Sequence, residues 1–164
     1  MGGGYHGGFG ATAGSAAMGD ATFMKRSDRF LKYIRRRSDV DPGGKFDIIA
    51  HGTAQDIEIE HHGKKMLVNS RTVANMIKRI PGYKGQDIRL LSCNTGSKSA
   101  GFAQNLANKL GVTVYAPNDK LWAYRDGSHI VAPTSPIPDK YGNPQPDTSR
   151  LGKFVKYTPG GNKR

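Results

Sequence analysis

The chain is poor in sulfur, in acid and in long apolar runs. Its 164 residues include one cysteine, Cys93, and one tryptophan, Trp122. A single thiol excludes an internal disulfide and any zinc site built on several cysteines. No apolar stretch approaches the ~20 residues of a membrane-spanning helix. Asp and Glu together number 13 against 25 Lys and Arg, a net charge of +12. Such a surface attracts polyanions: nucleic acid, anionic lipid or an acidic protein. There is no Walker loop and no GxGxxG after a strand pattern, so no nucleotide cofactor is expected. No HExxH spacing occurs either, and no metal is expected.

What is present is one domain's worth of regular pattern. Residues 1–20, MGGGYHGGFGATAGSAAMGD, lack the basic start and continuous apolar segment of a signal peptide. They read as a flexible Gly-rich linker. Residues 21–133 carry the periodic segments. Residues 134–164 turn to Pro, Gly, Asp and Lys, with KFVKYTP an expected edge strand.

Within 21–133 the pattern predicts a helix over 26–39, with Phe30, Leu31 and Ile34 on one face. Strands follow at KFDIIAHG (45–52) and DIEIE (56–60), with a return strand after HHG. A helix over 69–82 is capped by Asn69 or Ser70 and ended by Pro81-Gly82. DIRLLSC (87–93) reads as a strand buried on both faces. A second capped helix spans 97–111, VTVYAP (112–117) is the next strand, and 120–133 forms a hairpin around Asp126-Gly127. Two β-α-β crossovers imply a mostly parallel sheet. The expected fold is α/β: a three-layer sandwich with helices on both faces and a β-hairpin insertion.

Sites in open parallel sheets form at the carboxyl ends of strands. His51 ends one strand and Cys93 another. If those strands are neighbours, the imidazole and thiol rise from one rim, one strand spacing (about 4.8 Å) apart. That pairing is what thiol catalysis requires, because an unassisted thiol is only slightly ionised at neutral pH. Gly52 leaves its N–H open to a developing oxyanion, and the Gly52 and Cys93 amides together would form the hole. A small core hydrophobe is the competing account of a lone cysteine at a strand end.

FDIIAHG followed by IRLLSCNTG resembles the two-strand signature of the caspase-like cysteine peptidases (clan CD), closest to the CHAT style. The resemblance covers about residues 45–117. It implies a small caspase-like fold, His51 as base or proton shuttle, Cys93 as nucleophile, and Gly52 with Cys93 as oxyanion donors. The segment 101–133 and the closing GKFVKYTPGG resemble C-terminal toxin modules of bacterial polymorphic (Rhs-type) secreted effectors. That likeness implies a secreted or delivered tip domain acting in a target cell's cytoplasm, held in check by a cognate immunity protein of acidic surface. The combined expectation is a cysteine endopeptidase toxin acting on a protein target or on its parent chain.

Ser92, Asn94 and Thr95 flank the cysteine and are candidate substrate contacts, as are Asn118 and Asp119 at the end of the next strand. Trp122 and Tyr124 share a face of the hairpin and would wall a substrate pocket or simply pack. Asp47 is a candidate to orient His51. His61-His62 with Asp56, Glu58 or Glu60 is a weak metal candidate, since adjacent strand residues point to opposite faces. The alternative function is a non-proteolytic basic toxin that binds or cleaves nucleic acid through KYIRRR, Tyr33 and IKR. No nuclease constellation accompanies those basic runs.

Overall fold

Short apolar runs bounded by turn residues build the central sheet. A computed structural model describes residues 20–22, 28–40, 44–61 and 64–160. The linker reading of residues 1–19 lies outside these, and Asp20 already opens a strand. The five-stranded sheet has the order β1 (Asp20–Thr22), β2 (Phe46–Ile49), β6 (Ile88–Leu91), β7 (Val114–Pro117), β10 (Phe154–Tyr157). The first four are parallel, and β10 closes the edge antiparallel to β7. The molecule is thus mixed α/β with a mostly parallel sheet and additional antiparallel strands. The C-terminal edge strand belongs to the same sheet as the strands before residue 133.

Among the described residues three helices lie between these strands. α1 (Arg29–Ile34) is capped by Asp28, whose Oδ1 accepts the Phe30 amide at 2.8 Å. α2 (Ser70–Lys78) is capped by Asn69, which accepts the Thr72 amide at 3.0 Å. α3 (Phe102–Leu110) ends on Gly111, whose φ of 71° is the left-handed conformation a glycine tolerates. Strand alternation separates two cores. Ile48, Ala50 and Leu90 pack with Val73 and Ile77 of α2 and with Phe102 and Leu106 of α3. Ile49 and Leu91 pack on the other face with Leu31 and Ile34 of α1. Helices therefore cover both faces.

The expected 45–52 strand divides. β2 stays in the large sheet, whereas β3 (His51–Gly52) joins β4 (Ile57–His61) and β5 (Lys64–Val68) in a separate antiparallel sheet. β8 (Leu121–Ala123) and β9 (His129–Val131) form the expected hairpin. Residues 134–150 fold back on it: Thr134 bridges Pro146, and the Asp147 amide reaches the Pro133 carbonyl at 2.8 Å. The expected 26–39 helix is only one and a half turns long. The helix expected from 97 begins at Phe102, because the preceding backbone is committed elsewhere. Ser97 bonds Asn94, Gly101 bonds Lys98, and the Phe102 amide goes to Ala54. No helix among the described residues is long and apolar enough to cross a membrane.

Asp47 does not orient His51. It lies at the opposite end of β2, about 13 Å back along the strand. Its buried carboxylate receives Arg37 Nε at 3.0 Å and Arg89 Nη2 at 2.6 Å. Arg89 continues to Asp39, which also meets His129 Nε2 at 3.0 Å. Removing the shared anion leaves two guanidinium groups facing each other out of water. Asp47→Asn is therefore expected to cost about 3–5 kcal/mol in urea unfolding; a loss of under ~1 kcal/mol would show that the network is solvated.

Candidate functional site

The site is set by the register of two strands. Asp47 pairs with Arg89 and Ile49 with Leu91, while the Ala50 amide donates to the Leu91 carbonyl at 3.3 Å. On this face the next positions along the two strands are His51 and Cys93. Both border one patch: the His51 ring lies 6.1 Å from that of Phe30, and Phe30 and Cys93 pack on the same cluster. The imidazole and the thiol thus share one rim.

Gly52 keeps the two segments close. A Cβ there would stand 2.7 Å from Thr95 Cγ2 and 3.0 Å from the Cys93 carbonyl oxygen. Only a residue without a side chain lets β3 lie against the 92–95 turn. The Thr53 amide donates to the Asp56 carbonyl at 2.8 Å. By the alternation of an antiparallel ladder, Gly52–Ile57 is then a non-hydrogen-bonded pair. The Gly52 N–H accordingly points away from β4, as an oxyanion donor requires.

The turn after the cysteine is rigid. Asn94 adopts φ 62°, a left-handed conformation that asparagine tolerates, and its amide donates to the Asp119 carbonyl at 3.0 Å. The Gly96 amide donates to Pro117 at 2.8 Å, and the Tyr157 hydroxyl to the Gly96 carbonyl at 2.6 Å. A Cβ on Gly96 would lie 2.4 Å from the Ala116 carbonyl oxygen. The first two amides of α3 are spent on Ala54 and Thr95.

Cys93 is a free, half-buried thiol. Its Sγ accepts the Leu121 amide at 3.3 Å and lies 3.8 Å from the Leu121 carbonyl, to which it donates. Burial pushes the thiol above its ordinary pKa. The Leu121 amide and the Lys120 charge pull it down, and Asp119 pushes it up again; the net direction is upward. The raised pKa keeps the resting group a neutral thiol at neutral pH.

The residue that orients His51 is Asp28. Its Oδ2 stands 2.7 Å from His51 Nε2, while its Oδ1 caps α1. Burial acts to raise its carboxyl pKa, but the hydrogen bond and charge of His51 and the two helix amides outweigh it, and the net shift is downward. An ionised carboxylate at that distance accepts a ring N–H from Nε2 and so holds the imidazole in one orientation. The signal in the sequence was an acidic residue just ahead of an amphipathic run; nothing local tied it to His51.

Several expected contacts do another job. Ser92 and Thr95 are buried and bonded to each other at 2.9 Å; they brace the turn. Asn118 Oδ1 accepts the Lys153 amide at 2.9 Å, which ties β10 to the sheet. Asp119 and Asn94 remain at the rim. Trp122 donates its indole N–H to Ala132 at 2.8 Å and faces residues 134–150. Glu58 meets Lys65 at 3.9 Å, and His62 lies outside the described residues. No cluster of three or more metal-ligating side chains exists among the described residues.

The fold and rim define a mixed α/β domain with a thiol and a carboxylate-bound imidazole at one sheet edge. A family model described as Domain of unknown function (DUF8616) matches residues 19–131, more than half of the chain, and the chain belongs to that family. The match runs from β1 through β9 and includes Asp28, His51 and Cys93. No curated protein and no solved structure matches the chain.

Two measurements check this geometry. Asn caps a helix as well as Asp, so Asp28→Asn is expected to keep stability while losing the ring's orientation, whereas Asp28→Ala also loses about 1 kcal/mol of cap. NMR of the His51 ring nitrogens should report the Nε2–H form in the native chain and a mixture in Asp28→Asn. For Cys93, the alkylation rate by iodoacetamide is expected to inflect at higher pH in the native protein than in the urea-unfolded chain. An inflection at lower pH would mean a preformed thiolate–imidazolium pair.

Proposed function

We propose that the domain is a cysteine endopeptidase with a small, caspase-like three-layer α/β fold. The observation that carries this reading is that His51 follows β2 and Cys93 follows β6, two paired parallel strands, with Asp28 Oδ2 2.7 Å from His51 Nε2. A β-sheet insertion after the histidine strand and a cysteine at the end of the next strand accord with the resemblance noted above.

In this reading Cys93 Sγ attacks the scissile carbonyl carbon as its proton passes to His51 Nδ1. The carbonyl electrons move onto oxygen, which the Gly52 amide meets together with that of Cys93. The C–N bond then breaks, and His51 returns the proton to the departing amine. A thioester remains on Cys93. Water, deprotonated by His51, attacks it, and the acid product leaves with the thiol restored. Asp28 stabilises the imidazolium that forms in each half-reaction. The raised pKa of Cys93 makes His51 indispensable, because the thiol does not ionise by itself at neutral pH.

The domain would act as a delivered bacterial effector, cutting a target protein or its parent chain. The +12 surface suits an acidic immunity protein that blocks the rim. The test is direct. Cys93→Ala and His51→Ala are each expected to abolish proteolysis of host-cell lysate proteins and toxicity on expression, with Asp28→Asn slower by about 10²-fold or more. Full toxicity in Cys93→Ala, or nuclease activity indifferent to thiol alkylation, would transfer the function to the basic surface.

A further inference from the structure

A cleft of about 620 Å³ lies between the β8–β9 hairpin and the segment 134–150. Its size suits a side chain or small peptide group. One wall is aromatic: Trp122 and Tyr124 alternate onto the same side of the hairpin. The other wall carries Asp139, Gln145, Asp147 and Thr148. No Lys or Arg lines it, in a chain where basic residues outnumber acidic ones by 25 to 13. The local charge therefore runs against that of the whole molecule.

The two carboxylates are held in place. Asp139 Oδ1 accepts the Tyr141 amide at 2.8 Å and the Asn143 amide at 2.9 Å. Asp147 Oδ1 accepts the Ser149 amide at 3.1 Å and its hydroxyl at 2.6 Å. Their Oδ2 atoms make no hydrogen bond among the described residues. The Ser149 hydroxyl and amide hold the Asp147 pKa below the usual carboxylate value, so this wall keeps its charge at neutral pH. An aromatic face opposite fixed anions favours a flat or compact cation, which gains from the ring quadrupole on one side and from charge-assisted hydrogen bonds on the other.

The geometry points to this cleft as a binding site for a cationic side chain, an arginine or lysine presented on a peptide. The hairpin links it to the rim: Trp122 directly follows Leu121, whose amide meets the Cys93 sulfur. Its use in selecting substrates rests on the peptidase reading; the binding does not.

Trp122 is the chain's only tryptophan, so fluorescence excited at long wavelength reports on the cleft alone. The experiment uses the full chain with Cys93→Ala, which binds without turnover. Acetyl-Ala-Arg-amide is titrated against the same peptide with citrulline in place of arginine. The arginine peptide is expected to give a saturable change, with the citrulline peptide about tenfold weaker or more. Asp139→Asn and Asp147→Asn preserve the Oδ1 acceptors and are each expected to weaken arginine binding about fivefold, at unchanged Tm. Equal response to the two peptides, or none to either, overturns the assignment. Because no catalysis is measured, a positive titration stands even where the wild-type chain cleaves nothing; that pair of results would sink only the peptidase reading.

Discussion

The parallel pairing of β2 with β6 is the constraint on which the molecule depends. It stacks two pairs on one face of the sheet, Asp47 beside Arg89 and Ile49 beside Leu91, and beyond them the chain runs on to His51 and to Cys93. A slip of one residue would turn each of these side chains to the other face. It would bury the Asp47 carboxylate without Arg37 and Arg89, and would separate the imidazole from the thiol. Stability and the placing of the imidazole and thiol therefore share a single register, and the buried ion network is the part that makes an error expensive.

The two ends of that column are built differently. At the amino end, charge is paired: Arg37, Asp47 and Arg89 are largely buried, and Arg89 continues to the half-exposed Asp39 and on to His129. At the carboxyl end, β3 leaves the sheet and lets the rim open. The departure is possible because Gly52 passes within contact of the 92–95 turn. The polar groups there are either sealed, as Ser92 and Thr95 are, or half-exposed, as His51 and Cys93 are. Asp28 couples the two functions: one oxygen starts α1, whose Leu31 and Ile34 cover the sheet, and the other holds the imidazole.

The hairpin β8–β9 extends the site away from the sheet. Its backbone meets the sulfur through Leu121, and its side chains open a second, acid-walled space with residues beyond the family match. The half of the cleft formed by Trp122 and Tyr124 lies within the matched region. The half formed by Asp139 and Asp147 lies outside it.

Local pattern in the sequence determined most of the elements. The apolar runs ending at Ile49, Leu91 and Pro117 are strands, Asn69 caps a helix, Asp126-Gly127 turns a hairpin, and Phe154–Tyr157 is an edge strand, because periodicity and turn chemistry act between near neighbours. That His51 comes just after β2 and Cys93 just after β6 was legible for the same reason. The lengths of α1 and α3 were not, since their ends depend on carbonyls such as Ala54 and on the turn at Asn94. Only the tertiary structure decided that Asp28 rather than Asp47 holds the imidazole, that Ser92 and Thr95 are sealed, and that Leu121 meets the sulfur. Asp28 and His51 stand 23 positions apart and Cys93 and Leu121 28, and a hydrogen bond between residues so distant leaves no period in the sequence to read.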